Sequence, residues 1–495
     1  MKITNIYWQR ANINLVIDNK LDNKTVKLNN YEVTTHDNIV SFNVSNLPEG
    51  EPLNRGKYNL YIDDNKVLLD DKLLELLDDK SRIFYYEKRN EAMLVDFDID
   101  KDSSFIMNVE YVKKKNSSLG YKIRLILKPI LSFFMNVFYR VCRLFKLRSN
   151  NVLFLTENGD KLGDNLDILY KKYKELKEYK VRKYSKDIFH IGSIVKKIIH
   201  FIKLVYLVSK SDIIFVDNYT PTLTYLNISK STKLVQLWHA GIGFKSVGYA
   251  RFGLDGSPNP FKSSHRRYDY AIVDDESLID IYKEVFGVKR SIFRSYGMPR
   301  LDGYLNKDKI ENTINNLYEK YSMLKNKKII MFCPTYRGSG SKDAYYDYSL
   351  IDLDKIYDYC KKNGFVFVIK MHGFIKEKIK IDKKYSDLII DLSNENINDL
   401  IYITDIMISD YSSCAYEYSL FNRPLIFYRF DSAYYEYTRP MHSVDKFTSK
   451  QYIVNTFDEL MDVLNKLKNV EIKDRFKNMK ERNTNSCEEI IKLLR

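Results

Sequence analysis

Apolar and polar positions alternate in short runs over the first 112 residues. Asn14–Asp18, Ile39–Val44 and Tyr58–Asp63 read as strands of period two, separated by turns rich in Asn, Asp and Gly. Residues 1–112 are therefore expected to form a small β-rich accessory domain, of sandwich type, with no visible chemistry. The pattern changes at residue 113. Between Tyr121 and Arg148 lie seven basic residues (Lys122, Arg124, Lys128, Arg140, Arg143, Lys146, Arg148) and no acidic one, around the apolar run Ile130–Tyr139. Residues 113–149 are predicted as a basic amphipathic linker helix. Such a helix lies in the headgroup region of an anionic bilayer, or packs its apolar face on the next domain. Both remain open. A second basic and apolar segment, Val195–Val208, reads either the same way or as a core helix before the strand Asp212–Asp217.

From Asn150 the chain alternates strands with helices, the mark of α/β layering with parallel sheets. Asn151–Thr156, Asp212–Val216, Leu234–Trp238 and Tyr270–Val273 are strand candidates in residues 150–310. Lys328–Cys333, Phe365–Ile369, Leu388–Ile390, Ile406–Ser409 and Pro424–Tyr428 are those of residues 311–495. Two Rossmann-like halves with a cleft between them are expected, with ligands at the carboxyl ends of the strands.

The chain has 495 residues, 44% of them hydrophobic, too many for one core. Eighty Lys and Arg against 65 Asp and Glu leave a formal charge of +15, which favours anionic partners. A nucleic-acid binder is the bland reading of that charge, but no nucleic-acid motif or aromatic platform accompanies it. The five cysteines form no CxxC pair and read as reduced thiols. The N-terminus lacks the apolar core of a signal peptide, and no apolar run is expected to approach the roughly 18 residues a spanning helix needs. A cytoplasmic protein is expected.

The strand ends carry groups suited to phosphate. His239, in Gln236–Leu–Trp–His–Ala–Gly241, follows a strand and enters a turn, where it can serve as general base or as a structural histidine. Arg300, in Gly297–Met–Pro–Arg–Leu–Asp302, is placed to clamp a phosphate or to pair with Asp302. Thr335 and Arg337 close one strand of the second half, and His372 closes the next. Ser409–Asp410–Tyr411–Ser412–Ser413 precedes a helix that carries Glu417. Asp410, Ser412 and Ser413 are good N-cap residues, and a helix N-terminus after a strand favours anions. If those strands are parallel neighbours, a cation, a histidine and a hydroxyl-rich helix start converge. No Asp, Glu, His or Cys cluster has metal-ligand spacing, so neither metal nor cofactor is expected.

The order Trp–His–Ala, Gly–Met–Pro–Arg–Leu–Asp, Pro–Thr–Tyr–Arg, Lys–Met–His and then Thr404 to Tyr428 resembles the CDP-glycerol glycerophosphotransferase family, the teichoic-acid primases and polymerases. The resemblance spans about residues 150–445. It implies a GT-B-like fold of two Rossmann-like domains. The implied reaction moves glycerol phosphate or ribitol phosphate from a CDP-activated donor to a hydroxyl of a teichoic-acid or capsule-type polymer, releasing CMP. By motif, His239 matches the catalytic base, and His372 matches a donor-phosphate contact that is counted with the catalytic residues. Thr335, Arg337, Asp410, Ser412 and Ser413 match donor contacts, and Glu417 a contact to cytidine or ribose. Ala240 stands where the family usually has Gly, and Gly373 where it usually has Pro. The implied partners are a CDP-polyol, a lipid-linked polymer and the inner, anionic face of the membrane. Nucleic acid is not among them, and a homo-oligomer is compatible with the reading. The alternative within the fold is a glycosyltransferase using a nucleotide sugar. A non-catalytic scaffold derived from the enzyme is a further rival.

Overall fold

The computed structural model describes residues 1–47, 50–115, 118–146, 149–188, 191–239, 247–254, 257–302, 304, 306–338, 343–438, 450–468 and 485–495. Two compact units are present. The first comprises 1–239, 246–296 and Arg495; the second, 240–245 and 297–494.

The first unit begins with two mainly antiparallel sheets. One has five strands in the order Thr34–His36, Ile39–Asn43, Asn12–Ile17, Lys2–Gln9 and Leu68–Leu69. The other, of seven strands, has Phe105–Lys113 and Gly56–Ile62 at its middle. Alternate side chains of both sheets, among them Ile6, Leu15, Val40, Met93 and Val95, enter one shared apolar core. Phe252, from later in the chain, joins that core and stacks on Phe84 at 5.1 Å. A bidentate pair of Arg10 with Glu284 and bonds from Arg266 to Gly50 O and Ser45 O tie the module to the segment that follows.

The helix Leu119–Leu144 corrects one expectation of the sequence. Its polar seam, not its apolar face, docks on the protein. Ser132, Asn136, Tyr139 and Arg143, three or four residues apart and so on one side of the helix, bond to Tyr225, Asn227, Ser229 and Ser231. Ile126, Phe133 and Phe134 on other sides are each 64% exposed. A second expectation is corrected too: this helix is long and apolar enough by composition to cross a membrane, because its scattered polar residues do not lower the average much. The helix Ile194–Lys210 packs beside it. Its His200, Leu204 and Val208 are buried, whereas Val195, Ile198, Ile199 and Ile202 are exposed. Lys210 bonds Cys142 O and Phe145 O, the last carbonyls of the longer helix.

A parallel six-stranded sheet follows, in the order Lys180–Ser185, Asn151–Thr156, Ile213–Val216, Lys233–Gln236, Tyr270–Ile272 and Phe293–Arg294. The second unit has its own parallel sheet: Ile389–Asp391, Phe365–Ile369, Lys328–Phe332, Ile406–Ser409, Leu425–Tyr428 and Ile453–Val454. Its central strands are continuous runs of Ile, Val, Phe and Met because helices cover both faces. The strand order places Lys328–Phe332 between Phe365–Ile369 and Ile406–Ser409. Three candidate segments thus leave the sheet side by side.

Candidate active site

In the first unit, His239 follows the strand Lys233–Gln236 and is exposed. Its Nδ1 lies 2.9 Å from the backbone oxygen of Asp217, which ends the neighbouring strand. A carbonyl only accepts, so Nδ1 carries the proton in the neutral ring and Nε2 is the lone-pair nitrogen. That is the tautomer a general base needs. The backbone around it is fixed in two ways. Asn165 Nδ2 donates to Trp238 O at 2.7 Å, and Trp238 itself has φ 54°, the left-handed region that bulky residues avoid. Residues 240–243, the expected Gly-containing turn with its Ala240, lie outside the described residues.

Asp217 is buried, and burial pushes its carboxyl up to about 6, with Asn218 and Thr156 donating against that trend. Beside it stands Gly163, the residue before the helix Asp164–Glu175. A Cβ on Gly163 would lie 2.1 Å from Asp217 Oδ2. Deeper in the same unit, buried Glu157 accepts from Thr222 N at 3.0 Å and pairs with His200 Nε2 at 2.9 Å. His200 Nδ1 in turn meets the Tyr184 hydroxyl at 2.9 Å. Neither Asp217 nor Glu157 stood out in the sequence, although each directly follows or closes a strand.

In the second unit, the expected convergence occurs. Thr335 N donates to Asp410 Oδ1 at 2.7 Å, and Arg337 Nη1 reaches Asp410 Oδ2 at 2.9 Å. Arg337 also forks onto Asp431 (2.6 and 3.0 Å) and bonds Thr335 O. The rings of Phe430 and Tyr435 lie 4.9 and 5.1 Å from its guanidinium. Burial works against the charge of Arg337, but Asp410 and Asp431 outweigh it and hold the guanidinium charged. Asp410 is 1% exposed and turned inward. It anchors Arg337 and the Thr335 backbone instead of capping the helix.

The helix start differs from expectation as well. The helix Cys414–Ser419 has Ser413 at its N-cap, and no side chain makes a capping bond. Ser413 is exposed, and Ser412 Oγ lies 3.1 Å from Cys414 Sγ. Thr335 Oγ1 is buried with no hydrogen-bond partner among the described residues. His372 is exposed, and its Nδ1 accepts from Phe374 N at 3.1 Å. In the neutral ring the proton then sits on Nε2, so His372 is a donor where His239 is an acceptor. Lys370 bonds Ser393 O at 2.8 Å, and burial pulls its ammonium below the usual lysine range.

Arg300 pairs with buried Glu417, not with Asp302. Asp302 is taken by the backbone N–H groups of Ser486 and Cys487, both at 3.0 Å, at the start of the helix Ser486–Leu493. Cys333 and Cys414 bring their sulfurs to 3.8 Å, and Asp431 completes the Arg337 cluster from a strand end that sequence reasoning passed over.

Residues 137–488 match the family described as CDP-Glycerol:Poly(glycerophosphate) glycerophosphotransferase. Over 93% of the chain, the sequence is 29% identical to 92% of the teichoic acid ribitol-phosphate polymerase TarL of Staphylococcus aureus. The TarK ribitol-phosphate polymerase of the same organism is 33% identical over 67% of this chain and 65% of its own. Among solved structures, that of the wall teichoic acid polymerase TagF superposes with a TM-score of 0.54 at 19% identity, covering 76% of this chain and 98% of that one. The likeness shows the fold, which is of GT-B type.

Proposed function

The chain belongs to the CDP-glycerol:poly(glycerophosphate) glycerophosphotransferase family, and from that premise we propose that it extends a teichoic-acid polymer with polyol phosphate from a CDP-activated donor. Ribitol phosphate is the favoured unit, because the two sequence relatives just described are ribitol-phosphate polymerases; glycerol phosphate is the alternative. In the reaction, an acceptor hydroxyl oxygen attacks the β-phosphorus of the CDP-polyol. The new P–O bond forms as the bond to CMP breaks, and the hydroxyl proton passes to Nε2 of His239. The observation that carries this role is the bond from His239 Nδ1 to Asp217 O, which sets the tautomer.

In the second unit, donor phosphates take the Nε2–H of His372, the hydroxyls of Ser412 and Ser413, and Thr335 Oγ1. Arg337, saturated by Asp410 and Asp431, holds the Thr335 turn in place behind them. Transfer of this kind depends on positioning and electrostatics. Arg300 and Glu417, paired with each other, shape the place of the cytidine or ribose.

The apolar sides of the helices Leu119–Leu144 and Ile194–Lys210 lie in the headgroup region of the inner, anionic leaflet, with Lys122 and Lys197 supplying the charge. On this reading the enzyme works at the cytoplasmic face of the membrane, beside a lipid-linked acceptor.

CMP release from CDP-ribitol and from CDP-glycerol, with a lipid-linked acceptor and beside His239→Ala, tests the reading. Release from one donor that the variant loses supports it. A folded wild-type protein that releases CMP from neither overturns it. Flotation with phosphatidylglycerol vesicles, compared with Phe133→Ser/Phe134→Ser, tests the membrane face; equal flotation would sink that part.

A further inference from the structure

The first unit contains a groove of about 2090 Å³ that the reaction described above does not use. Pockets for single small molecules run to about 300–1,000 Å³, so this one suits an extended ligand. One wall is the docked side of the helix Leu119–Leu144, from Tyr121 to Arg140. Another is the β-module, at the hairpin that joins Arg82–Tyr86 to Glu91–Ile99. The inner end reaches Asn158, Asn218 and Trp238, which follow the carboxyl ends of three parallel strands. Trp238 is the residue before His239.

The lining is cationic: eight Lys and Arg against three Glu, a difference of five. Two of the glutamates are neutralised locally, Glu87 by Lys128 at 3.4 Å and Glu91 by Lys113 at 3.9 Å. Lys88, Arg140 and Lys262 are exposed along the groove. A concave surface of one sign concentrates ligands of the other.

Two further features point to a ligand. Glu87, Lys88 and Arg89 at the hairpin tip all have positive φ (45°, 57° and 64°), a strained run of the kind found at ligand clamps. The hairpin is held there by Tyr121 donating to Glu91 and by Lys128. At the other end, the indole N–H of Trp238, a residue 7% exposed, has no partner among the described residues.

We infer that this groove is the track for the polyanionic acceptor: several polyol-phosphate repeats lie along Lys88, Arg140 and Lys262, and Trp238 donates to the repeat nearest His239. The assignment gives the N-terminal β-module a task, and it rests on the polyol-phosphate reading above.

The test compares kcat/KM for acceptors of one and of eight ribitol-phosphate repeats, in wild type and in Lys88→Glu/Arg140→Glu/Lys262→Glu. The expected result is a KM for the octamer raised about tenfold, the combined effect of three exposed charge contacts, while KM for the CDP-polyol holds. The wild-type preference for the octamer should also shrink as salt rises. Binding of a fluorescently labelled octamer, followed by anisotropy, is measured in parallel, with thermal melting to confirm folding. Octamer KM and binding equal to wild type in the folded variant would overturn the groove. If the wild type released no CMP, the polyol-phosphate reaction would fall; loss of octamer binding in the variant would still support the groove, and retained binding would overturn it.

Discussion

Replacing Arg337 by Met should destabilise the second unit far more than an ordinary surface change. Asp410 is 1% exposed and the Asp431 side chain 15%, and both bond the guanidinium. Met keeps much of the apolar stem against Phe430 and Tyr435 but leaves two carboxylates facing each other without their cation. Removing one partner of a buried ionic cluster costs about 3–5 kcal/mol. The second unit comprises residues 297–494 and a short earlier segment, a size at which 1 kcal/mol moves the midpoint by about 2–4 °C. The expected fall in Tm is therefore roughly 6–20 °C, read by differential scanning fluorimetry on the full chain. A companion variant separates charge from shape. Arg337→Met/Asp410→Asn/Asp431→Asn removes all three charges and keeps the bond from Thr335 N, so it should recover at least half of the loss. A midpoint within 3 °C of wild type for Arg337→Met would refute the buried-cluster account. A triple variant no better than the single would place the cost in lost packing.

His239→Gln should lower kcat by about 10²–10⁴ with little change in donor KM, as measured by CMP release. Thr335→Val should leave Tm unchanged or slightly raised, since the hydroxyl has no partner to lose, yet raise KM for the CDP-polyol about tenfold or more through a lost charge-assisted bond. Asp217 gives a pH signature. Its folded value of about 6 lies above the ordinary 3.8, so the folded state holds the proton more tightly. The associated stability is present below about pH 3.8 and is lost as pH rises through about 6. The full difference is about 3 kcal/mol, and Asp217→Asn should flatten that part of the Tm-against-pH curve.

The layering of this chain was legible because its central strands are unbroken apolar runs. Asn151–Thr156, Phe365–Ile369 and Ile406–Ser409 fall where the pattern puts them. The edges were not legible. Lys180–Ser185 is largely polar, and Phe293–Arg294 and Ile453–Val454 are too short to show a period. The orientation of the basic helix was hidden for a related reason. Ser132, Asn136, Tyr139 and Arg143 are the side chains that dock, but in a linear reading they look like interruptions of an apolar face.

At the site, sequence order gave the residue types and the strand order brought Thr335, Arg337, His372 and Ser412 into one region. The choice among charge partners was not legible. Arg300 had a carboxylate two positions away, yet the helix carrying Glu417 offers a buried one, while Asp302 serves a distant helix start. Asp431 lay beyond the recognised motif and was passed over. Partner choice depends on distances between elements, which spacing along the chain does not encode.

Gly163 has an extended backbone that any residue could adopt. What excludes a side chain there is the Asp217 carboxyl, 2.1 Å from where a Cβ would be. Asp217 is buried, so the carboxyl has little room to swing aside, and its own carbonyl orients the His239 ring. A methyl group at 163 would thus be transmitted through one side chain and one peptide oxygen to the proposed base. Tolerance at this loop position reports on the proposed base, and a glycine that a turn would not require becomes a gauge of how firmly that histidine is set.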